Sequence, residues 1–276
     1  MVLFPNAKIN FGLNILQKRE DGYHELETIF YPIGLKDGLE FIENQKNKII
    51  FTSSGLTLNI DQEENIVVKA YRLLAADHSL PGLDLHLHKV IPFGAGLGGG
   101  SSDAAFLLKG LNDYFELGLF VSQLKKYAVR LGADCSFFIE NKPAFACGIG
   151  EQLQNIPFSL SGYFIVLVKP PFGVGTKEAY AEIKPAIPKI SVLDSIKQSP
   201  DKWQRCIAND FETSVFKLYP EIAEIKTKLI EHGAVYASMS GSGSSVFGLF
   251  KNEPQITAID FPSDYFIWKD WISGIS

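Results

Sequence analysis

The residues best placed to do chemistry stand in one run, Pro92-Phe93-Gly94-Ala95-Gly96-Leu97-Gly98-Gly99-Gly100-Ser101-Ser102-Asp103. Five of the seven positions from Gly94 to Gly100 are glycine, so backbone N–H groups can close on an anion without side chains in the way. A helix predicted over Ser102–Leu111 follows. Its first-turn donors and positive dipole end favour negative charge. Ser101 and Ser102 can offer hydroxyls to a phosphate or its metal, or cap the helix. The chemistry served is the holding of a polyphosphate. The plain alternative is a mobile strand-to-helix turn, but five glycines carry an entropic cost that a mere connector need not bear.

Gly94, Gly96 and Gly99 also fit G-x-G-x-x-G. A dinucleotide fold would want a second strand ending in an acidic residue about 20 positions on. Here the chain enters a predicted helix around Leu124–Leu131 instead. No Gly-Lys-Ser/Thr follows the loop, and the protein-kinase signatures are absent.

Other residues read two ways. Asp134 follows a helix that ends in Gly132, and is either a turn aspartate bonding its own backbone or a proton acceptor. Lys8 lies in the mostly apolar Phe4-Pro5-Asn6-Ala7-Lys8-Ile9-Asn10-Phe11, and needs a partner if buried. Asp134 is the expected partner. Tyr23 and His24 follow an Asp-Gly turn. Gly241-Ser242-Gly243-Ser244 is either a second phosphate- or substrate-facing turn or a plain tight one. Asp103 resembles a magnesium ligand, yet acidic residues are common at helix starts for electrostatic reasons. His86 and His88 share one strand face with no third ligand nearby, which reads as a surface or packing pair.

The elements that must position these residues alternate irregularly between periods of two and 3.6. Strands are predicted at Leu39–Glu43, Lys48–Thr52, Asp84–Val90, Ala144–Cys147, Tyr163–Val168 and Val246–Phe250. Helices are predicted at Asn65–Asp77, at Ser102–Leu111, from a Ser122 cap through Leu131, and at Glu221–His232 behind Pro220 with Gly233 closing it. Adjacent strands with helices between them point to an α+β layered fold. The softest boundary lies near Asn155–Gly162, which divides the chain into residues 1–157 and 158–276.

The chain has 276 residues and 46% hydrophobic content, enough for a sizeable core in one large or two ordinary domains. Its net charge of −5, with no basic cluster, argues against nucleic acid as a partner. Cys135, Cys147 and Cys206 are odd in number and lack CxxC spacing, so reduced thiols and a cytoplasmic location are expected. No signal peptide and no membrane span are visible. The oligomeric state stays open.

The glycine run resembles the loop of the GHMP small-molecule kinases. Ala7-Lys8-Ile9-Asn10 with Arg19-Glu20-Asp21-Gly22-Tyr23-His24, Leu131-Gly132-Ala133-Asp134-Cys135, and Ser240-Gly241-Ser242-Gly243-Ser244-Ser245 extend the likeness from Lys8 to about Phe250. The resemblance implies an N-terminal α/β domain carrying the ATP loop and a ferredoxin-like C-terminal domain. It implies transfer of the ATP γ-phosphoryl group to the 2-hydroxyl of a cytidyl diphosphate ester of methylerythritol, on the non-mevalonate route to isoprenoids. ATP would be the co-substrate and Mg²⁺ would arrive with it.

By the same resemblance, Asp134 is the catalytic base and Lys8 the catalytic lysine. Residues Pro92 to Ser102 bind ATP, and Asn65 bonds its adenine. Tyr23 stacks on the cytosine, His24 bonds its edge, and Tyr180 is the second wall. Asn10 and Thr176 bond the methylerythritol or the diphosphate. The aromatic tail Phe261–Trp271 lies outside the likeness.

Overall fold

A computed structural model describes residues 1–57, 61–257 and 260–274. In chain order the strands are β1 (Val2–Leu3), β2 (Asn6–Lys18), β3 (His24–Lys36), β4 (Gly38–Glu43), β5 (Ile50–Gly55), β6 (Leu83–Lys89), β7 (Ala144–Cys147), β8 (Gln152–Asn155), β9 (Phe164–Lys169), β10 (Tyr236–Met239), β11 (Val246–Phe250) and β12 (Phe266–Trp271). The helices are α1 (Ile66–Ala75), α2 (Gly99–Tyr114), α3 (Val121–Leu131), α4 (Cys135–Glu140), α5 (Thr176–Tyr180), α6 (Val192–Ser195), α7 (Pro200–Cys206), α8 (Phe211–Leu218) and α9 (Pro220–Glu231). The α+β expectation holds. The chain forms two compact units that interleave in sequence.

The first unit comprises Met1–Ala7, Gly34–Pro92 and Gly98–Lys142. Its sheet has the order β1-β4-β6-β5, with β4 antiparallel and β5 parallel to β6. Period-two burial in β6 turns Leu83, Leu85 and Leu87 inward. They share a core with Val67, Leu74, Leu107 and Leu111 from α1 and α2. His86 and His88 lie on the other face of β6, beside the Thr52 and Ser54 hydroxyls of β5. That is the surface pair the sequence implies.

The second unit comprises Lys8–Ile33, Phe93–Leu97 and Pro143–Ser276. One of its sheets has the order β2-β3-β7-β8 and the other β10-β11-β9-β12. The second sheet is antiparallel throughout. β9 is buried at all six positions, as a central strand must be. Val166 and Val168 face a core that includes Ile222, Ile225 and Leu229 of α9. The aromatic tail supplies β12, an edge strand paired with β9 from Phe266↔Lys169 to Trp271↔Phe164.

Three boundaries differ from expectation. The helix behind the glycine run begins at Gly99, not Ser102, because Gly98 adopts φ +68° and turns the chain into the helix early. Ser122 is not the cap of α3. Phe120 holds that position, and its N–H donates to the Gln123 side chain. β5 starts two residues after Lys48 and runs on to Gly55.

Candidate active site

The glycine run leaves β6 and enters α2. Gly94, Gly96 and Gly98 all have positive φ, of +56°, +71° and +68°, which side-chain-bearing residues rarely adopt. Ala95, Leu97 and Gly99 turn inward while Gly96, Gly98 and Gly100 stay half-exposed. The loop therefore has an anchored side and a bare backbone side, which is what an anion cradle requires.

Within the second unit the loop's first half is braced. Ser240 Oγ donates to the Gly96 carbonyl at 2.9 Å and accepts from the Asn10 N–H at 3.1 Å. The Ser245 N–H donates to the Ala95 carbonyl at 3.3 Å. A methyl group on Gly96 would collide with the Ser240 carbonyl oxygen. Gly173 lies against Gly94, and Ser244 Oγ donates to the Phe172 carbonyl at 2.7 Å. Asn209 Nδ2 donates to the Met239 and Gly241 carbonyls, each at 2.8 Å. The turn Gly241–Ser244 is thus mostly buried and holds the glycine loop, rather than standing open to a ligand.

Lys8 belongs to the same bracing. Its N–H donates to the Leu97 carbonyl at 2.9 Å. The side chain is 3% exposed, and its Nζ donates to Asn10 Oδ1 at 2.6 Å and lies 4.7 Å from the Phe30 ring centroid. Asn10 Nδ2 in turn donates to Thr28 Oγ1 at 3.0 Å, and Thr28 Oγ1 to the Gly12 carbonyl at 2.5 Å. Asn10, expected to bond substrate, hydrogen-bonds here to Lys8 and Thr28. A buried lysine needs contacts of this kind.

Asp134 sits in the first unit, half-buried at the position before α4. Its side chain makes no cap hydrogen bond to that helix. The following Cys135 is buried. Desolvation pushes its thiol up to about 11, against a Ser101 hydroxyl contact that pulls it down and an Asp134 charge that adds to the rise. That thiol is inert at neutral pH. Asn65 caps α1, its Oδ1 accepting from the Val67 N–H at 2.9 Å. Ile66 beside it reaches to 3.6 Å from where a Gly100 side chain would begin, so the start of α1 borders the loop.

The residues expected to recognise a base are less closely held. Tyr23 is 60% exposed. His24 lies on Tyr180 with ring centroids 4.6 Å apart and planes 22° from parallel, and Tyr180 is edge-on to Phe211 at 4.8 Å. Burial, and Lys18 nearby, lower the His24 pKa, so the ring is neutral at pH 7. His24, expected at the edge of a bound base, stacks here on Tyr180, the expected second wall. Thr176, the first residue of α5, is exposed.

Asp103, the residue resembling a magnesium ligand, is buried and accepts from Lys89 Nζ at 2.7 Å. It is committed inside the first unit. Lys89 and its second partner, Asp37, carried no signal in the sequence beyond being charges beside apolar runs. Among the described residues no cluster of three His, Cys, Asp or Glu is arranged to hold a metal, and no helix is long and apolar enough to cross a membrane.

Residues 65–148 match the GHMP kinases N terminal domain, and residues 191–260 match the GHMP kinases C terminal domain. The chain is 54% identical over 267 residues to a 4-diphosphocytidyl-2-C-methyl-D-erythritol kinase of Bacteroides fragilis, covering 96% of this chain and 97% of the relative. It is 43% identical to the kinase of the same name from Porphyromonas gingivalis, covering 99% and 100%. A crystal structure of 4-(cytidine 5'-diphospho)-2C-methyl-D-erythritol kinase superposes with a TM-score of 0.78 at 33% identity, covering 90% of each chain. A homoserine kinase from Cytophaga hutchinsonii gives 0.72 at 16% identity, covering 98% and 94%, which is a likeness of fold alone.

Proposed function

The chain belongs to the GHMP kinase family, and we propose that it moves the γ-phosphoryl group of ATP to the 2-hydroxyl of 4-diphosphocytidyl-2-C-methyl-D-erythritol, a step toward isoprenoid precursors. The observation that carries this reading is the braced glycine loop, with three left-handed glycines and its backbone side bare. The high identity to kinases of that name supports the choice of acceptor. An exposed ring at Tyr23 and a partly buried one at Tyr180 suit a substrate with a base to stack, which mevalonate and homoserine lack.

In this reading residues Pro92 to Ser102 hold the ATP phosphates through backbone N–H groups, and Asn65 borders the adenine. The proton of the attacking hydroxyl passes to an Asp134 carboxylate oxygen as the new O–P bond forms and the bond from the γ-phosphorus to the β–γ bridging oxygen breaks, releasing ADP. Lys8, oriented by Asn10, offsets negative charge on the transferring group or the alkoxide. Mg²⁺ comes with ATP, whose phosphate oxygens suit a hard cation, and supplies charge neutralisation. The hydroxyls of Ser101 and Ser102 are the side chains beside the loop with the right chemistry, and Ser102 Oγ is buried with no partner of its own. Thr176 bonds the acceptor from the start of α5. For the division of labour we assign ATP binding to residues 1–157 and the ferredoxin-like domain to 158–276. That boundary falls between the two matched segments. The free thiols fit a cytoplasmic setting.

The test is ATP-dependent phosphorylation of the cytidyl substrate beside mevalonate and homoserine, with Asp134→Asn as control. We expect turnover on the cytidyl substrate alone. The control should lose roughly 10²–10⁴-fold in kcat while ATP still binds. Turnover on another acceptor would discard the roles of Tyr23, His24 and Tyr180. Full turnover by Asp134→Asn would discard the base.

A further inference from the structure

We propose that Asp37, Lys89 and Asp103 are positioning residues for ATP, a buried clamp that ties the strand entering the glycine loop to the helix leaving it. The inference rests on the reading that this loop binds ATP.

The geometry lies wholly within the first unit. Lys89, the last residue of β6, is 1% exposed, and its Nζ donates to Asp37 Oδ2 at 2.5 Å and to Asp103 Oδ2 at 2.7 Å. The other oxygen of Asp37 accepts from two consecutive backbone N–H groups, those of Val90 at 2.6 Å and Ile91 at 2.8 Å. Those residues lead directly into Pro92. Asp103 sits in the second turn of α2, just past the glycines. The run from Pro92 to Gly98 is therefore held at both ends by one set of charges.

Gly99 reports how closely this set is fitted. A Cβ there would stand 2.8 Å from Ile91 Cγ2 and 3.0 Å from Lys89 Nζ, closer than packing allows. A side chain at Gly99 would press first on Ile91 and then on Lys89 of the clamp, a separate reason for glycine from leaving the phosphate side bare.

Energetics favour positioning over bulk stabilisation. Burying an ammonium between two carboxyl groups costs much of what their attraction returns, and apolar replacements are often as stable. What such a set supplies is a fixed geometry, here at a loop of glycines that otherwise has many conformations open to it. Burial also raises the Asp103 carboxyl to about 8. The Lys89 ammonium opposes that rise and the Asp37 charge adds to it, so at neutral pH Asp103 is mostly the neutral donor-acceptor that an asparagine mimics in shape.

The experiment compares Asp103→Ala and Asp103→Asn in the full chain, reading KM for ATP, KM for the cytidyl substrate, kcat and the thermal midpoint. Loss of the clamp should raise KM for ATP roughly 10-fold or more. KM for the cytidyl substrate should stay within about threefold, and Asp103→Asn should restore most of the loss. A lowered midpoint with KM for ATP unchanged would overturn the proposal, because that is a merely structural role. So would equal rises in both KM values, or no rescue by asparagine. If Asp103→Ala fails to fold, Asp103→Ser serves with the same criteria. Gly94→Val, which places a branched side chain at φ +56° in the loop, separates the two readings. If it leaves KM for ATP unchanged, the loop is not the ATP site and the clamp falls with it. If it raises KM while Asp103→Ala does not, only the clamp is wrong.

Discussion

Gly96 has no room for even a methyl group, because the Ser240 carbonyl already lies where it would go, while Tyr23 stands 60% exposed a few residues beyond the end of β2. The glycine loop is built from backbone, and its shape is dictated by what packs behind it. The residues expected to recognise a base act through their side chains, with His24 stacked on Tyr180 and Tyr23 exposed. A phosphate group is recognised by any well-aimed set of N–H donors, so the donors must be rigid and their side chains are irrelevant. A pyrimidine is recognised by flat apolar surface and a few edge contacts, so the side chains are the site and the backbone beneath them is not. Substitution should therefore act through conformation in one region and through lost contact area in the other.

The sharpest way to break this contrast is Gly96→Ala. The added methyl meets the Ser240 carbonyl at a backbone φ of +71°, so the loop must move. We expect a loss on the order of 100-fold in kcat/KM for ATP, together with a lower thermal midpoint. Retention of ATP affinity would mean the loop's shape is not what holds the nucleotide. Tyr180→Ala should come next. Loss of stacking on cytosine, at roughly 1–3 kcal/mol, raises KM for the cytidyl substrate about 5- to 150-fold. KM for ATP should not move, and a CMP titration checks the same ring without turnover. Tyr23→Ala removes an exposed ring, so it should weaken CMP binding about fivefold and leave the thermal midpoint where it was. A midpoint shift as large as that of Gly96→Ala would show that the aromatic face is structural after all.

The smallest effect concerns pH. The Asp103 carboxyl titrates near 8 in the folded protein against 3.8 as its ordinary value. Between those values the folded state holds a proton that the unfolded chain has released. The contribution of this group is complete below pH 3.8 and falls as pH rises toward 8. Asp103→Asn cannot titrate, so its thermal midpoint should decline less with pH across that window than the parent's. Parallel curves would show that Lys89 and Asp37 set the charge state by themselves.

Much of this division was legible in advance. The glycine run, the helix behind it and the α+β pattern all follow from local composition and periodicity. So do the strands Leu39–Glu43, Ala144–Cys147 and Val246–Phe250, which the structure reproduces within a residue. The long pair β2 and β3 was harder, because both strands are buried at nearly every position in their middle and show no alternation to read. β12 was missed for the opposite reason, an edge strand whose exposed half carries Lys269 and Asp270. Asn10 is expected at the substrate from the resemblance alone; that its amide also meets Lys8 and Thr28 is a contact only the fold shows.

What the sequence determined by itself was glycines that free a backbone for an anion; the aspartate and lysine expected in phosphoryl transfer, and the rings expected at a base, came from the family resemblance its motifs carry. Tertiary structure alone decided which of those groups are spent on holding the others. Asp103 reads as a ligand until Lys89 and Asp37 close on it, and Gly241–Ser244 reads as a second ligand turn until it is seen buried behind the first. The reason is that hydrogen bonds and ion pairs are satisfied in space. A buried polar group must find its partner wherever the fold brings one, and Lys89 finds Asp37 52 residues back along the chain.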